Sequence, residues 1–279
     1  MKLEDIKMRD PFIFPDKKRQ RYFLYGSERD RSKQDLFKVY TSSDLDEWDE
    51  GKVIFFKNPG FWGKTHFWAP ELHFIEGKYY LFATFFGDNG YNRSQILVCD
   101  TPDGTFVPYY EPITPFGQAA LDATYFESDG KRYSVYCHEW KDVGDGEICL
   151  VELDDKLRPV TEPAILFRAS DAPWVVNASD TQKCLVTDGP FLIQEGTTLF
   201  MLWSSFSKAG YAVAYATAEN IFGPWKQQFK PLLNIDGGHA MIFEDLSGVK
   251  HLICHAPNSF TEHPVLFTVE INDKEIKII

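Results

Sequence analysis

The sequence has little positive charge for its size. Among its 279 residues, 29 Lys and Arg stand against 41 Asp and Glu, which gives a net charge of −12. No run of Lys and Arg reverses this sign locally, and a surface of this kind repels nucleic-acid phosphates and anionic lipids. We therefore predict no nucleic-acid partner and no membrane partner, and expect a neutral small molecule instead. The sequence carries no signal for an oligomeric state.

Cysteine is scarce and scattered. The five cysteines are odd in number and form no C-x-x-C pair, which argues against a disulfide framework and against a zinc knuckle. We expect reduced thiols buried in sheets, at Cys99, Cys137, Cys149, Cys184 and Cys254.

Targeting segments and several common motifs are also missing. The first residues include no apolar segment typical of a signal peptide, and no stretch approaches the roughly 18 apolar residues of a membrane span. We expect a cytoplasmic location for the sequence as it stands, or a secreted or periplasmic one if a signal peptide has been removed. Neither a G-x-S-x-G elbow nor a G-x-G-x-x-G loop is present, which excludes the usual serine hydrolase and dinucleotide sites.

Aromatic residues are abundant, and the chain repeats itself. Aromatics make up 16% of the residues, which suits β-sheets and also supplies flat surfaces for sugar rings. Five segments share one pattern: a small or polar residue, an apolar strand, a turn that usually contains Gly, and a second strand rich in Tyr, Phe and Leu. These segments begin at Asp10, Ala69, Asp122, Asp188 and His239.

The repeats predict the fold. They start roughly 50 to 65 residues apart, close to the length of a four-stranded blade with its loops. We therefore predict an all-β, five-bladed β-propeller that forms a single domain over residues 1–279. Few residues precede the first repeat or follow the last, so we expect the ring to be closed by both chain ends, which together complete the last blade.

The first residues of the repeats predict a site. Equivalent positions of the innermost strands lie at one height around a propeller channel. Asp10, Asp122 and Asp188 are thus expected to converge there with His239, whereas isolated turn caps would not share one register. Clustered carboxyls raise one another's pKa, which is typical of a functional site. Sugar hydrolysis requires a carboxylic acid and a carboxylate of this kind.

The chain resembles glycoside hydrolase family 43, whose members are five-bladed propellers that release arabinofuranosyl, xylosyl or related residues from plant-type glycans with inversion. The resemblance covers nearly the whole chain. It depends on Arg9-Asp10-Pro11, Phe67-Trp68-Ala69-Pro70-Glu71, Asp122, Asp188-Gly189-Pro190 and Gly238-His239.

The resemblance implies that Asp10 is the base that activates water, Asp122 the modulator of the acid's pKa, and Asp188 the general acid. It also implies that His239 is the channel histidine, which in some members lies beside a calcium ion or its water. We expect no required cofactor, and a structural calcium ion in the channel as an option.

One residue departs from the family pattern. The acid is usually Glu in a Glu-Gly-Pro motif, and Asp188 is shorter by one methylene. Its carboxyl therefore extends less far towards a hydrogen-bond partner. Glu139 is a candidate back-up acid, although a rim residue with its own partners is the more ordinary interpretation. Other candidates for substrate binding are Trp68 and Trp62 as stacking platforms, Glu71 and Arg9 as hydroxyl or carboxylate partners, and His255 as a channel residue.

These observations predict an inverting glycosidase that acts on terminal α-L-arabinofuranosyl or β-D-xylosyl residues of oligosaccharides. One alternative is a sugar-binding propeller whose catalysis is impaired by the short acid. Another is a related five-bladed glycosidase or phosphorylase, for which the sequence lacks both an Asn-Asp-Pro-Asn opening and a cluster of basic residues.

Overall fold

A computed structural model describes residues 1–28 and 35–279 of the chain. In these residues twenty strands form five antiparallel sheets of four strands each. Blade 1 contains β1 (Met8–Asp16), β2 (Arg21–Glu28), β3 (Leu36–Ser42) and β4 (Lys52–Phe56), and blade 2 contains β5 (Gly63–Ile75), β6 (Lys78–Gly87), β7 (Asn92–Cys99) and β8 (Val107–Tyr109).

The remaining blades follow in chain order. Blade 3 contains β9 (Ala120–Ser128), β10 (Lys131–His138), β11 (Glu147–Leu153) and β12 (Ala164–Arg168). Blade 4 contains β13 (Asp188–Glu195), β14 (Thr198–Ser207), β15 (Gly210–Ala218) and β16 (Lys226–Gln227). Blade 5 contains β17 (Gly238–Glu244), β18 (Lys250–Ala256), β19 (His263–Ile271) and β20 (Ile276–Ile278).

The first strands of the blades contact one another in a closed ring, from β1 through β5, β9, β13 and β17 back to β1. The predicted five-bladed, all-β propeller is confirmed. Helix is limited to the single turn α1 (Trp140–Val143) and to 3-10 turns at Leu3–Asp5 and Ala169–Asp171 in the described residues.

The chain ends meet where the ring closes, but they do not share a sheet. We expected the last blade to be completed from both ends, and this was wrong, because all four strands of blade 5 lie between residues 238 and 278. The N-terminal segment packs against this blade instead. The backbone N–H of Met8 donates to the carbonyl of Glu262 at 3.3 Å, and the Leu3–Asp5 turn contacts β19.

Predicted glycine turns connect the first two strands of the blades. In blade 2, Glu76 and Gly77 both have positive φ, and in blade 3 Asp129 and Gly130 do. Two successive residues with positive φ form the type I′ turn, whose twist matches that of the strands it joins.

Aromatic and aliphatic side chains fill the space between blades. Between blades 1 and 2, Phe37, Phe55, Phe67 and Phe85 are all buried and contact one another in edge-on, tilted or stacked arrangements. Between blades 3 and 4, Trp203 is fully buried against Trp174 and Phe167. The aromatic excess of the sequence is therefore used mainly for packing the sheets together.

Each first strand carries a bulge at the equivalent place. The pairing with the second strand shifts between Arg9 and Phe12 in blade 1, and between Asp188 and Phe191 in blade 4. Corresponding shifts occur in blades 2, 3 and 5. One bulge residue in every blade has a left-handed φ of 45° to 56°: Asp10, Ala69, Asp122, Gly189 and His239. We name these five the bulge residues.

The bulge corrects the sequence alignment of the fourth repeat. Gly189, not Asp188, is equivalent to Asp10 and Asp122. Asp188 precedes the bulge, at the position that Arg9, Trp68, Leu121 and Gly238 occupy in the other blades. The carboxyl of Asp188 therefore enters the channel from a different layer than the other two.

Truncation of a buried aromatic tests this packing. We expect Trp203→Ala to lower the free energy of unfolding by about 3–5 kcal/mol, because the indole is fully buried and its removal leaves a cavity. Urea unfolding followed by circular dichroism measures the change. Phe229→Ala is the control, since Phe229 is 77% exposed, and its loss is expected to change stability by less than about 0.5 kcal/mol. Equal effects of the two substitutions would contradict the blade packing described here.

Candidate active site

A pocket opens at one end of the channel. Its volume is about 380 Å³, near the lower end of the range of roughly 300 to 1,000 Å³ for ligand pockets. Seven of the residues predicted from the sequence line it: Arg9, Asp10, Trp68, Asp122, Glu139, Asp188 and His239.

The lining has two layers. Asp10 and His239 also line a constriction of about 10 Å³ deeper in the channel, together with Gly189 and Ala69. Arg9, Trp68 and Asp188 line the pocket alone. Asp10 and His239 therefore belong to the deep layer, whereas Asp122, like Arg9, Trp68 and Asp188, belongs to the layer nearer the opening.

Asp10 is a buried carboxylate with positively charged neighbours. One oxygen accepts a hydrogen bond from the Ser27 hydroxyl at 2.7 Å. The other lies 3.3 Å from His239 Nδ1 and 3.5 Å from Arg9 Nε. Burial alone would raise the pKa of Asp10, but the charges of His239 and Arg9 outweigh it, and the pKa lies below its usual range. Asp10 is therefore ionised at neutral pH.

Asp122 lies next to the same histidine and is harder to ionise. Its Oδ2 atom accepts the backbone N–H of Gly189 at 3.1 Å and lies 3.6 Å from His239 Nδ1. Burial raises the pKa of Asp122 to about 7, His239 opposes this rise, and the charges of Asp188 and Asp10 add to it. Near neutral pH this carboxyl is close to half-protonated.

Asp188 is held by a residue that the sequence did not indicate. Tyr211 on β15 donates its hydroxyl to Asp188 Oδ2 at 2.7 Å. Burial raises the pKa of Asp188 above its usual range, and the Tyr211 hydroxyl and the charge of Arg9 offset only part of that rise. Gly238 makes room for the ring, because a Cβ atom there would lie 2.0 Å from Tyr211 Cε1.

His239 is the cation between the acidic groups. Burial would lower its pKa, but Asp10, Asp122 and Asp188 together raise it above the usual range, which favours the protonated imidazole. Gly189 lets the ring lie here, because a Cβ atom on Gly189 would be 2.7 Å from His239 Cγ.

Arg9 ties blades 1 and 5 together at the pocket wall. Its Nη1 atom donates to Asn258 at 2.6 Å and to Glu262 at 3.0 Å. The guanidinium also lies over the Tyr211 ring, 5.6 Å from its centre. Arg9 is thus fixed in place, with its charge directed at Asp10.

Glu139 lines the pocket, but both of its oxygens have protein partners. Asn92 donates to Oε2 at 3.0 Å, and Lys141 lies 3.1 Å from Oε1. This geometry matches the interpretation as a bonded rim residue and does not favour the back-up acid.

Trp68 lies in the pocket wall and Trp62 does not. The Trp68 indole is half-buried and stacks on His66 with ring centres 3.8 Å apart, so it is placed to offer a flat surface to a ligand. Trp62 lies outside this pocket, where it packs on Phe61 and Phe85 and donates to Gln95. Trp62 is therefore not part of the pocket in which we expected a sugar platform.

Glu71 and His255 lie behind the pocket. Glu71 lines the deeper constriction and is engaged by Thr124 and His73, so the expected contact with substrate is not supported. His255 is fully buried, accepts the backbone N–H of Asp10 at 3.2 Å and stacks on Tyr211. It supports the catalytic candidates rather than reaching the pocket.

Metal binding depends on how the donor groups are arranged. Within residues 1–28 and 35–279, no group of three or more His, Cys, Asp or Glu is arranged to hold a metal ion directly. A calcium ion bound through water at His239 would need no such group, so this expectation stays a prediction. In the same residues no helix is long and apolar enough to cross a membrane.

Comparison with known proteins identifies the family. The sequence model of glycosyl hydrolases family 43 matches residues 5–276. The chain belongs to this family. Family 43 membership agrees with the propeller fold and with a glycosidase site built from carboxyls.

A solved relative extends over the whole length of this family 43 chain. The endo-arabinase from Bacteroides thetaiotaomicron VPI-5482 is 39% identical, with a TM-score of 0.91 and coverage of 98% of both chains. A thermostable family-43 glycoside hydrolase, 22% identical with a TM-score of 0.84, shares the fold and covers 98% of this chain and 92% of its own.

Curated relatives match over shorter regions. An alpha-L-arabinofuranosidase 43 from Humicola insolens is 26% identical over 61% of this chain and 37% of its own length. An extracellular exo-alpha-(1->5)-L-arabinofuranosidase from Streptomyces chartreusis is 27% identical over 60% of this chain and 52% of its own. The matched region spans about half or less of these relatives.

The pH dependence of stability tests the environment of Asp122. Because its folded pKa of about 7 exceeds the usual 3.8, its contribution to stability is fully present below pH 4 and is lost as the pH rises through 7. We expect Asp122→Asn to raise the free energy of unfolding at pH 8 by about 1–2 kcal/mol, with the gain disappearing towards pH 4. Urea unfolding at the two pH values measures it.

Asp245→Asn is the control, because its expected change in stability at pH 8 is opposite in sign to that of Asp122→Asn. The pKa of Asp245 is lowered to about 2, since hydrogen bonds from Ser247, Val249 and His251 outweigh its modest burial. Its stabilisation is present above pH 4 and is lost as the pH falls through 2, so this substitution is expected to destabilise at pH 8. A loss at pH 8 for Asp122→Asn as well would contradict the described environment.

Proposed function

We propose that this chain is an inverting glycoside hydrolase that releases terminal α-L-arabinofuranosyl residues from oligosaccharides, with β-D-xylosyl residues as the second candidate. Asp188 is the general acid, Asp10 the general base and Asp122 the modulator. The observation that carries the proposal is the separation of pKa values within one pocket, where that of Asp10 is lowered and that of Asp188 is raised. Carboxyls whose environments push their pKa values apart are suited to acid and base roles.

The proposed reaction follows from these protonation states. Asp188 gives its proton to the glycosidic oxygen as the bond from that oxygen to the anomeric carbon breaks. Asp10 takes a proton from a water molecule, whose oxygen forms a bond to the anomeric carbon from the opposite face. The products are a free sugar with inverted configuration and a shortened oligosaccharide. Transfer of the Asp10 proton to solvent and reprotonation of Asp188 restore the starting state, so we propose no cofactor for these steps.

The surroundings of the three carboxyls support their roles. His239 and Arg9 keep Asp10 ionised, as a base requires. Asp122 lies between His239 and the peptide of Gly189, next to Asp188. When it is ionised, its negative charge raises the pKa of the acid, and it thereby helps to keep Asp188 protonated.

Pocket size and the relatives support a terminal pentose as substrate. A volume of about 380 Å³ fits the end of an oligosaccharide better than a long segment. Arabinose is common to the names of an endo-arabinase relative and of two exo-acting arabinofuranosidase relatives. A neutral sugar also suits a protein with a net charge of −12. We therefore favour arabinose over xylose and removal of terminal residues over internal cleavage.

For the compartment we propose secretion, by analogy with the Streptomyces relatives that are described as extracellular. Four of the five cysteines are buried as free thiols. Burial protects them from oxidants, so they are compatible with an extracellular location as well as with the cytoplasm.

Paired substitutions and two substrates test the acid and the base. On α-1,5-linked arabinobiose, we expect Asp10→Asn and Asp188→Asn each to lower kcat by about 10²–10⁴-fold. On 4-nitrophenyl α-L-arabinofuranoside, whose leaving group needs little protonation, Asp188→Asn is expected to lose far less than Asp10→Asn. NMR of the first-formed sugar should show the inverted anomer. Asp245→Asn, at a residue outside the pocket, is the control and is expected to leave the rates unchanged. A retained anomer, or similar losses for both variants on both substrates, would contradict the assignment.

Lengthening the acid separates the enzyme from the sugar-binding alternative. We expect Asp188→Glu to lower kcat on arabinobiose by about tenfold, because the longer side chain displaces the carboxyl from the Tyr211 hydroxyl that holds it. Calorimetric titration with arabinobiose measures binding separately. If the unmodified chain binds the sugar without cleaving it, and Asp188→Glu raises the rate a hundredfold or more, the binding alternative is favoured.

A further inference from the structure

The bulges are held by a hydrogen bond that repeats from blade to blade. In each blade, one residue of the second strand pairs with the residue that precedes the bulge. Ser27 pairs with Arg9, and Ser204 pairs with Asp188. The five equivalent residues, which we name the bulge partners, are Ser27, Thr84, Cys137, Ser204 and His255.

Four of the bulge partners accept the backbone N–H of the bulge residue in the next blade. Ser27 Oγ accepts from Ala69 at 2.8 Å, and Thr84 Oγ1 accepts from Asp122 at 2.9 Å. Around the ring, the same bond joins Ser204 to His239 at 2.8 Å and His255 to Asp10 at 3.2 Å. A strong acceptor at this position therefore fixes the following blade.

The bulge partner in blade 3 differs. It is Cys137, and a thiol is a weak acceptor. The backbone N–H of Gly189 in blade 4 donates instead to the carboxylate of Asp122, at 3.1 Å. Asp122 is therefore bonded directly to the peptide unit between Asp188 and Gly189.

We propose that Cys137 is a positioning residue for the proposed reaction: as a weak acceptor, it leaves the Gly189 N–H to Asp122 and so ties the modulator to the acid. This inference rests on the roles proposed above for Asp122 and Asp188. The bond fixes one oxygen of Asp122 and also the backbone from which the acid side chain extends. A displacement of about 1 Å in either group is enough to lower a rate substantially.

Blade 1 shows what a stronger acceptor does at this position. Ser27 accepts the N–H of Ala69 at 2.8 Å and donates its own proton to Asp10 at 2.7 Å. The hydroxyl thus lies between its neighbouring carboxylate and the next blade. A serine at position 137 is expected to lie in the same way between Asp122 and Gly189, and to break their direct bond.

The thiol at position 137 is neutral and close to the carboxyls. Cys137 is fully buried. Burial raises its pKa well above the usual range, and the negative charges of Asp122 and Asp188 raise it further. Cys137 therefore acts as a small, weakly polar side chain beside the two carboxyls, and not as a nucleophile.

Cys137→Ser is the test, with the Gly189 amide as the direct readout. Protein labelled with [15N]glycine contains 19 glycines, and an amide bonded to a carboxylate has a strongly downfield proton shift. We expect the Gly189 proton to move upfield in Cys137→Ser, and a crystal structure of the variant to show its N–H bonded to the new hydroxyl. On arabinobiose we expect kcat to fall at least about tenfold, with KM within about threefold of the unmodified value.

Two further variants separate positioning from packing. Cys137→Ala offers no acceptor, so the Gly189 proton is expected to keep its downfield shift. Cys254→Ser places a hydroxyl at another fully buried cysteine, on β18, and is expected to change neither the Gly189 shift nor the ratio of kcat to KM. Thermal unfolding of all three variants shows that they fold.

The proposal is overturned if the Gly189 shift is the same in Cys137→Ser and the unmodified protein, or if Cys137→Ala moves it equally. The amide shift does not depend on activity. If it changes as expected in a chain that cleaves no arabinoside, the hydrogen-bond inference stands and the proposed function fails.

Discussion

The left-handed bulge in the first strand of every blade is the feature on which the site depends. An L-residue in this conformation is strained by about 1–2 kcal/mol, and four of the five bulge residues are not glycine. Such strain persists only where the surrounding structure fixes it. Hydrogen bonds from the preceding blades do so here, and ring closure keeps all five bulges at one level. The bulges in turn direct the side chains of Asp10, Asp122 and His239 towards one point.

Charge balance is the second constraint. Three buried carboxyls in one channel would repel one another and take up protons. His239 and Arg9 lie on the side of Asp10, so that carboxyl ionises most readily. Asp188 is held mainly by a neutral tyrosine hydroxyl and keeps a raised pKa. Chemically identical side chains thus differ in pKa, lowered at Asp10 and raised at Asp188, as the proposed base and acid require.

Much of the fold and part of the site were predictable from the sequence. The repeats were visible because each blade begins with an apolar strand and a turn, and seven of the ten predicted site residues line one pocket. The register of Asp188 was missed by one residue. Proline follows the bulge residue at Pro11, Pro70 and Pro190, so an alignment on proline would have found it.

Other features had no local signal. Tyr211 contacts Asp188 from two strands away in the same sheet. This contact depends on the register in which the strands pair, which the sequence does not indicate. Glu71 follows the bulge of its strand and lines the deeper constriction, where Thr124 and His73 form hydrogen bonds with it. Simple strand alternation does not predict this position. Trp62, like Trp68, stands among aromatic residues in the sequence. In the structure it packs on Phe85 between blades 1 and 2 and not in the pocket.

The one-residue offset of Asp188 is consistent with the roles proposed for Asp10 and Asp188. Asp10 belongs to the deep layer, which also borders the constriction, whereas Asp188 belongs to the layer nearer the opening. In the proposed reaction, the sugar to be released lies at the bottom of the pocket and the rest of the oligosaccharide extends towards the opening. The proposed base in the deep layer then faces the water side of the anomeric carbon, and the proposed acid in the outer layer faces the leaving oxygen. The proposed base and the proposed acid thus differ in depth along the channel, since Asp10 borders the constriction and Asp188 does not.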